Sequence, residues 1–241
     1  MTDISPDERL IVALDVPAPA EARRLVEQLG DAARFYKVGL ELFSSKGCFD
    51  LVEWLVGRGN KVFVDLKLHD IPETVRRAVA NLRSCGATFL TVHAHRSVME
   101  AAAKEKGSLK ILGVTVLTSF DQRDLDEMGT TKSISELVLS RAASAVETGC
   151  DGVISSGLEA SMLKKQFGAK LLVVTPGIRP VENKPSDDQK RTVDVAEAFG
   201  AGADYIVVGR PIRQAADPRA AAAAIQSTIR TIFPPAPRAG A

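Results

Sequence analysis

Eight short runs rich in β-branched residues, at 10–16, 35–40, 62–68, 89–94, 111–118, 152–156, 171–178 and 205–209, punctuate the chain from end to end. Amphipathic periodicity between them predicts helices over 18–29, 49–56, 73–85, 133–147 and 211–232. Near-continuous apolar runs separated by helical crossovers belong to a parallel sheet covered by helices. Eight such units in 241 residues match the count and length of a closed (β/α)8 TIM barrel. The expected fold is therefore α/β, one barrel domain over 1–241 with 234–241 as a frayed tail. An open, doubly wound sheet is the alternative. Against it, Asp15-Val16-Pro17-Ala18-Pro19 follows the first run where a dinucleotide-binding sheet carries GxGxxG.

A barrel builds its active site from the loops at the C-terminal ends of its strands. Polar residues gather there: Asp15 ends the first run, Lys37 lies within the second, and Asp65 and Lys67 end the third. His93, Thr118, Ser119, the 175–179 segment and Gly209-Arg210 follow round the ring. Residues 65 to 74 read DLKLHDIPET, so strand alternation aims Asp65 and Lys67 one way and Leu66 and Leu68 the other, with Asp70 in the loop. Charges in β-branched strands are costly unless paired, and these four read either as a salt-bridged layer or as an alternating Lys and Asp network at a site. Gly209-Arg210-Pro211 fits a phosphate site in which a helix opening at Pro211 adds N–H donors to the Arg210 guanidinium; the plain alternative is an ordinary strand-to-helix turn.

The intervals after the fifth and seventh runs are longer than their neighbours, which marks both as candidate gating loops. Segment 179–191 has two prolines, seven charges and one aliphatic residue, a composition that moves unless a ligand pins it. His93-Ala94-His95 has metal-like spacing but no acidic residue in the strand to complete a ligand set, so a hydrogen-bonded barrel histidine is the expectation and no metal is expected. His69 faces with Asp65 and Lys67 only if the strand runs that far. Thirty-one basic against thirty acidic residues leave no whole-molecule field for nucleic acid or an anionic membrane. Cys48, Cys85 and Cys150 lack CxxC spacing, no run approaches the roughly twenty apolar residues of a membrane span, and the N-terminus is acidic. A cytoplasmic protein is expected.

The strings Ala13-Leu14-Asp15, Tyr36-Lys37-Val38-Gly39, residues 65–72, Val116-Leu117-Thr118-Ser119, Thr175 to Pro180, Asp188-Gln189 and Val208-Gly209-Arg210-Pro211 together resemble the bacterial orotidine 5'-phosphate decarboxylase family over nearly the whole chain. The resemblance implies a ribulose-phosphate-binding type of barrel. It also implies cofactor-free, metal-free conversion of a nucleotide, orotidine 5'-monophosphate, to uridine 5'-monophosphate in a homodimer. Carried over, Lys67 is the proton donor, with Asp65, Asp70 and Lys37 as its catalytic companions and Asp70 contributed across the interface. Asp15 and Lys37 bind ribose hydroxyls, Thr118 or Ser119 contacts the pyrimidine, and Arg179, Gln189, Gly209 and Arg210 hold the phosphate. Asp65 and Thr74 join the substrate-binding set. Glu73 stands where the family usually has Asn, with no expected loss of activity. The rival readings are a Mg2+-dependent sugar-phosphate decarboxylase or hexulose-phosphate synthase and, from another class, a non-catalytic nucleotide-binding barrel. Intact Asp65, Lys67 and Asp70 argue against the last.

Overall fold

In the computed structural model, which describes residues 4–179 and 192–234, the eight apolar runs pair in parallel and close on themselves. The strands are β1 (Leu10–Ala13), β2 (Phe35–Gly39), β3 (Lys61–Leu68), β4 (Phe89–His93), β5 (Lys110–Val114), β6 (Gly152–Ile154), β7 (Leu172–Thr175) and β8 (Tyr205–Val208). Each pairs with the next and β8 pairs with β1, which makes the (β/α)8 barrel. The helices are α1 (Pro19–Leu29), α2 (Leu40–Phe43), α3 (Cys48–Gly57), α4 (Pro72–Ser84), α5 (Arg96–Glu105), α6 (Gln122–Glu127), α7 (Ile134–Glu147), α8 (Gly157–Phe167), α9 (Val195–Gly200), α10 (Arg210–Arg213) and α11 (Pro218–Ile232).

Strand alternation divides the apolar residues into two cores. Ile11, Phe35, Phe63, Phe89, Leu112, Leu172 and Tyr205 fill the barrel, and Val12, Val38, Val64 and Leu90 join Leu25, Leu51 and Val79 of the surrounding helices in the outer core. The interior rings interlock, with Phe89 5.0 Å from Phe35 and 5.1 Å from Tyr205 between centroids. Each fully buried ring contributes on the order of 2–3 kcal/mol of hydrophobic transfer. One pleat further along the same inward face, Phe35 gives way to Lys37, Phe63 to Asp65 and Phe89 to Thr91. An aromatic plug thus carries a polar layer at the C-terminal mouth.

Three expectations need correction. Most strands stop short of the predicted runs, so Asp15, Thr118 and Ser119 sit in loops beyond β1 and β5. The helix expected over 211–232 breaks, because Pro218 cannot donate a backbone hydrogen bond and Asp217 caps a fresh start by accepting from the Ala220 amide at 3.0 Å. β3 keeps its alternation, with Leu66 and Leu68 against the outer core, but not as a regular strand. Its register against β4 shifts between Val64 and Leu68, and Lys67 takes a left-handed backbone with φ of 51°. For a residue with a side chain that conformation costs about 1–3 kcal/mol and persists only where its surroundings enforce it.

A methyl group at Gly152 of β6 would lie 2.6 Å from the Leu172 carbonyl oxygen and 2.7 Å from its Cβ, whereas nothing stands within 4 Å of one at Gly57. Gly152→Ala is expected to lose about 1–3 kcal/mol in urea unfolding, and Gly57→Ala to lose nothing. Equal stabilities for the two variants would refute the tight β6–β7 seam.

Candidate active site

The Asp65 carboxylate binds two ammonium groups at once. Lys67 Nζ donates to Oδ1 at 2.8 Å and Lys37 Nζ lies 3.7 Å from Oδ2, while Lys37 also reaches Asp15 Oδ1 at 2.8 Å. Asp15, Lys37, Asp65 and Lys67 therefore form the alternating chain expected from their positions. Thr91, buried on β4, completes it: its hydroxyl donates to Asp65 Oδ1 at 2.9 Å and accepts from the Lys67 amide at 2.9 Å. That second bond falls where the register between β3 and β4 shifts. Burial alone would raise the Asp65 carboxyl, but Lys37 and Lys67, with hydrogen bonds from Lys67 and Thr91, outweigh it and hold it below its ordinary value of 3.8. Gly39 leaves the room this needs, since a Cβ there would stand 2.8 Å from Lys37 Nζ.

The chain of charges forms one wall of a cavity of about 330 Å³ at the mouth. Val114, Ile154 and Val207 give it an apolar floor, Leu117, Thr118 and Ser119 a side, and Arg179, Gly209, Arg210 and Arg213 the wall beyond. Seven charged side chains line it, five cationic and two anionic, so a nearly neutral protein has a distinctly positive cavity. The grip at Gly209-Arg210 differs from expectation. The amides of Ile212 and Arg213 both donate to the Gly209 carbonyl and Pro211 has none, so the guanidinium groups rather than a row of helix amides present the positive charge. Thr91 and Arg213 escaped the sequence reading, and Gly39 entered it only as part of the string that carries the resemblance. Thr91 was signalled by sharing parity with Phe89, and Arg213 by following Arg210 at one helical turn.

Asp70 and Thr74 are exposed and do not line this cavity; Asp70 Oδ1 instead accepts from the Ile71 amide at 2.6 Å. Gln189 and all of the proposed gating segment except Arg179 lie outside the described residues. Its flanks meet at a bridge between Ile178 and Val193, with the Arg179 amide donating to the Val193 carbonyl at 2.9 Å. Glu73 lies in the first turn of α4, where Arg76 and Arg77 engage it and hold its carboxyl at about 2. His93 makes a ring contact: its imidazole lies 5.0 Å from that of His69, which stacks on His95. Among the described residues no group of three or more His, Cys, Asp or Glu is arranged to hold a metal ion, and no helix is long and apolar enough to cross a membrane.

The family model described as Orotidine 5'-phosphate decarboxylase / HUMPS family matches residues 8–225. Orotidine 5'-phosphate decarboxylase of Methylococcus capsulatus is 61% identical over 226 residues, 94% of this chain and 93% of that protein. The enzyme of the same name from Methylobacterium radiotolerans is 50% identical over 231 residues, 95% of this chain and 100% of the relative. Among solved structures, orotidine 5'-phosphate decarboxylase from Lactobacillus acidophilus superposes with a TM-score of 0.82 at 38% identity, covering 92% of this chain and 99% of its own.

The depressed Asp65 carboxyl makes a signed prediction. Its contribution to stability is fully present above the unfolded-state value near 4 and is lost as the pH falls through the lower folded value. Asp65→Asn is expected to destabilise by about 3 kcal/mol at pH 7, the low end for breaking a buried pair because Lys67 is 34% exposed. In urea unfolding the gap should narrow below pH 4; a gap that stays constant to pH 3 would exclude ionised Asp65 as its source.

Proposed function

The chain belongs to the orotidine 5'-phosphate decarboxylase / HUMPS family and decarboxylates orotidine 5'-monophosphate to uridine 5'-monophosphate in pyrimidine biosynthesis; from that premise we propose that Lys67 protonates C6 of the pyrimidine as carbon dioxide leaves. The bond between C6 and the carboxylate carbon breaks, its electron pair stays on C6, and the proton passes from Lys67 Nζ to that carbon. Water then restores the ammonium. The pyrimidine ring cannot delocalise the developing charge well, so the enzyme has to supply on the order of 20 kcal/mol. Fixed charge beside C6 is the means: an ammonium already bonded to Asp65 and backed by Lys37 needs little reorganisation as the carbanion forms. The observation that carries this reading is Asp65 bridging Lys37 and Lys67 on one wall of a cavity whose other wall holds arginines.

The remaining roles follow from position. Asp15 and Lys37, joined at 2.8 Å, suit vicinal ribose hydroxyls, and Thr118 and Ser119 suit the polar edge of the pyrimidine. Arg179 and Arg210, with the close backbone at Gly209, suit the phosphate. A substrate carrying a phosphate and a carboxylate matches the cationic excess of the cavity. Binding energy gained at the phosphate holds C6 against Lys67, far from the group that supplies it. Asp70 and Thr74 act in the partner's cavity of a homodimer. Supporting this, two large apolar side chains that follow the C-terminal ends of β2 and β3 are exposed, Leu40 at the start of α2 by 65% and Ile71, next to Asp70, by 68%. Three unpaired thiols suit a reducing compartment, the cytoplasm.

Loss of the 5'-phosphate ester's orotate absorbance should proceed at an undiminished rate in excess EDTA; a requirement for a divalent metal and a sugar phosphate would instead favour the rival chemistry. Lys67→Ala should lower kcat by at least roughly 10⁴-fold while still binding uridine 5'-monophosphate, and near-normal turnover in that variant would remove the proton-donor role. Mixing inactive Lys67→Ala and Asp70→Ala subunits should restore activity through hybrid dimers. No recovery after demonstrated subunit exchange would count against shared sites.

A further inference from the structure

All three histidines of the chain meet at one place beside the active-site cavity, His93 half-buried and His69 and His95 exposed. The His69 ring stacks on that of His95 with centroids 4.6 Å apart and planes 5° from parallel, and meets His93 at 5.0 Å. With Arg141, Phe120 and Met128 they line a second cavity of about 160 Å³, and Val114 and Leu117 line both cavities.

The arrangement extends the contacts of Asp65. Thr91 on β4 holds Asp65 and the Lys67 amide, and the two residues that follow it at strand spacing, His93 and His95, hold the next residue of that parity beyond β3, His69. Lys67 sits between these anchors in its left-handed conformation, and Asp70 comes directly after the second. A hydroxyl on one side and a pair of rings on the other therefore bracket the residue whose backbone most needs enforcement.

We propose that His69, clasped by the rings of His93 and His95, is a positioning residue for decarboxylation: the clasp fixes the turn from Lys67 to Asp70, and protonation of His93 and His95 releases that turn and lowers turnover on the acid side. The inference rests on the decarboxylase reading of the neighbouring site. Two stacked imidazoles tolerate each other when neutral and repel when both are charged. The charged and titratable groups facing the cluster are Lys67 from β3, the other histidines from the end of β4, and Arg141 from α7, whose Nη1 donates to the Thr115 carbonyl. α6 and its cap contribute Leu125 and Met128, which carry no charge. Burial first, then this cationic company, lowers both His93 and His95 from the ordinary 6.5, so these two rings take up a proton at lower pH than a free imidazole does.

The test measures kcat and KM for orotidine 5'-monophosphate from pH 5 to 8.5 in wild type, His69→Ala and His95→Phe, with the imidazole signals followed by NMR. His69→Ala should lower kcat about 10–100-fold at pH 8 with KM within about threefold, the signature of a misplaced catalytic group. His95→Phe, which keeps a ring and removes a proton site, should retain most of the kcat at pH 8 and carry the acid limb to lower pH. The His93 and His95 signals should titrate below 6.5 in wild type and rise in His69→Ala. Wild-type kcat and an unshifted acid limb in both variants would overturn the proposal, as would histidine titrations unmoved by His69→Ala. Failure of the wild type to turn over the substrate would strike the decarboxylase reading instead, while the NMR titration still reports on the cluster. Should His69→Ala not fold, an acid limb in His95→Phe identical to wild type is sufficient to overturn the proposal.

Discussion

A single carboxylate, Asp65, organises this protein's mouth. It is largely buried, and its negative charge is tolerable only because Lys37 and Lys67 face it and Thr91 donates to it. The converse also holds: the two ammonium groups share one side of a small cavity because Asp65 stands between them. Much of the surrounding structure reads as accommodation of that group. β3 bulges, Lys67 accepts a left-handed backbone, its amide turns to Thr91, and glycine stands at position 39, where a side chain would strike Lys37.

The barrel makes this arrangement affordable. Strands lean on an interior plug of Phe35, Phe63, Phe89 and Tyr205, so that the polar layer above it inherits a rigid spacing from apolar packing below. Preorganised charge stabilises a transition state only if it does not relax toward the ground state, and close packing beneath the site opposes such relaxation. The arginines arrive by a different route, Arg179 from the segment after β7 and Arg210 and Arg213 from α10 after β8. Under the proposed roles, chemistry and anion grip fall on separate parts of the cavity wall, so that binding energy from one end of a nucleotide aligns the other.

The turn after β3 links the interior to the surface. It begins at the strained Lys67, passes His69 with its ring partners, and ends at Asp70 and Ile71, which are exposed and do not line this chain's own cavity. The turn is exposed rather than buried in the fold, and ring stacking against the end of β4 holds it. Burial and the cationic groups nearby lower the pKa of two of those rings, His93 and His95.

Much was legible in the sequence, for definite physical reasons. Strand periodicity and helical crossovers determined the closed parallel barrel, since eight apolar runs of this kind leave few other ways to bury both faces. The charges at positions 15, 37, 65 and 67 were legible because alternation and strand ends are local properties. Tertiary structure alone decided what is not local: the shift in register at Lys67, the hydroxyl of Thr91 that supports it, Arg213 in the cavity wall, and the meeting of His69 with His93 and His95. Each depends on the offset between neighbouring strands, and that offset is set by side chains packing across the closed barrel rather than by any run of residues along one strand.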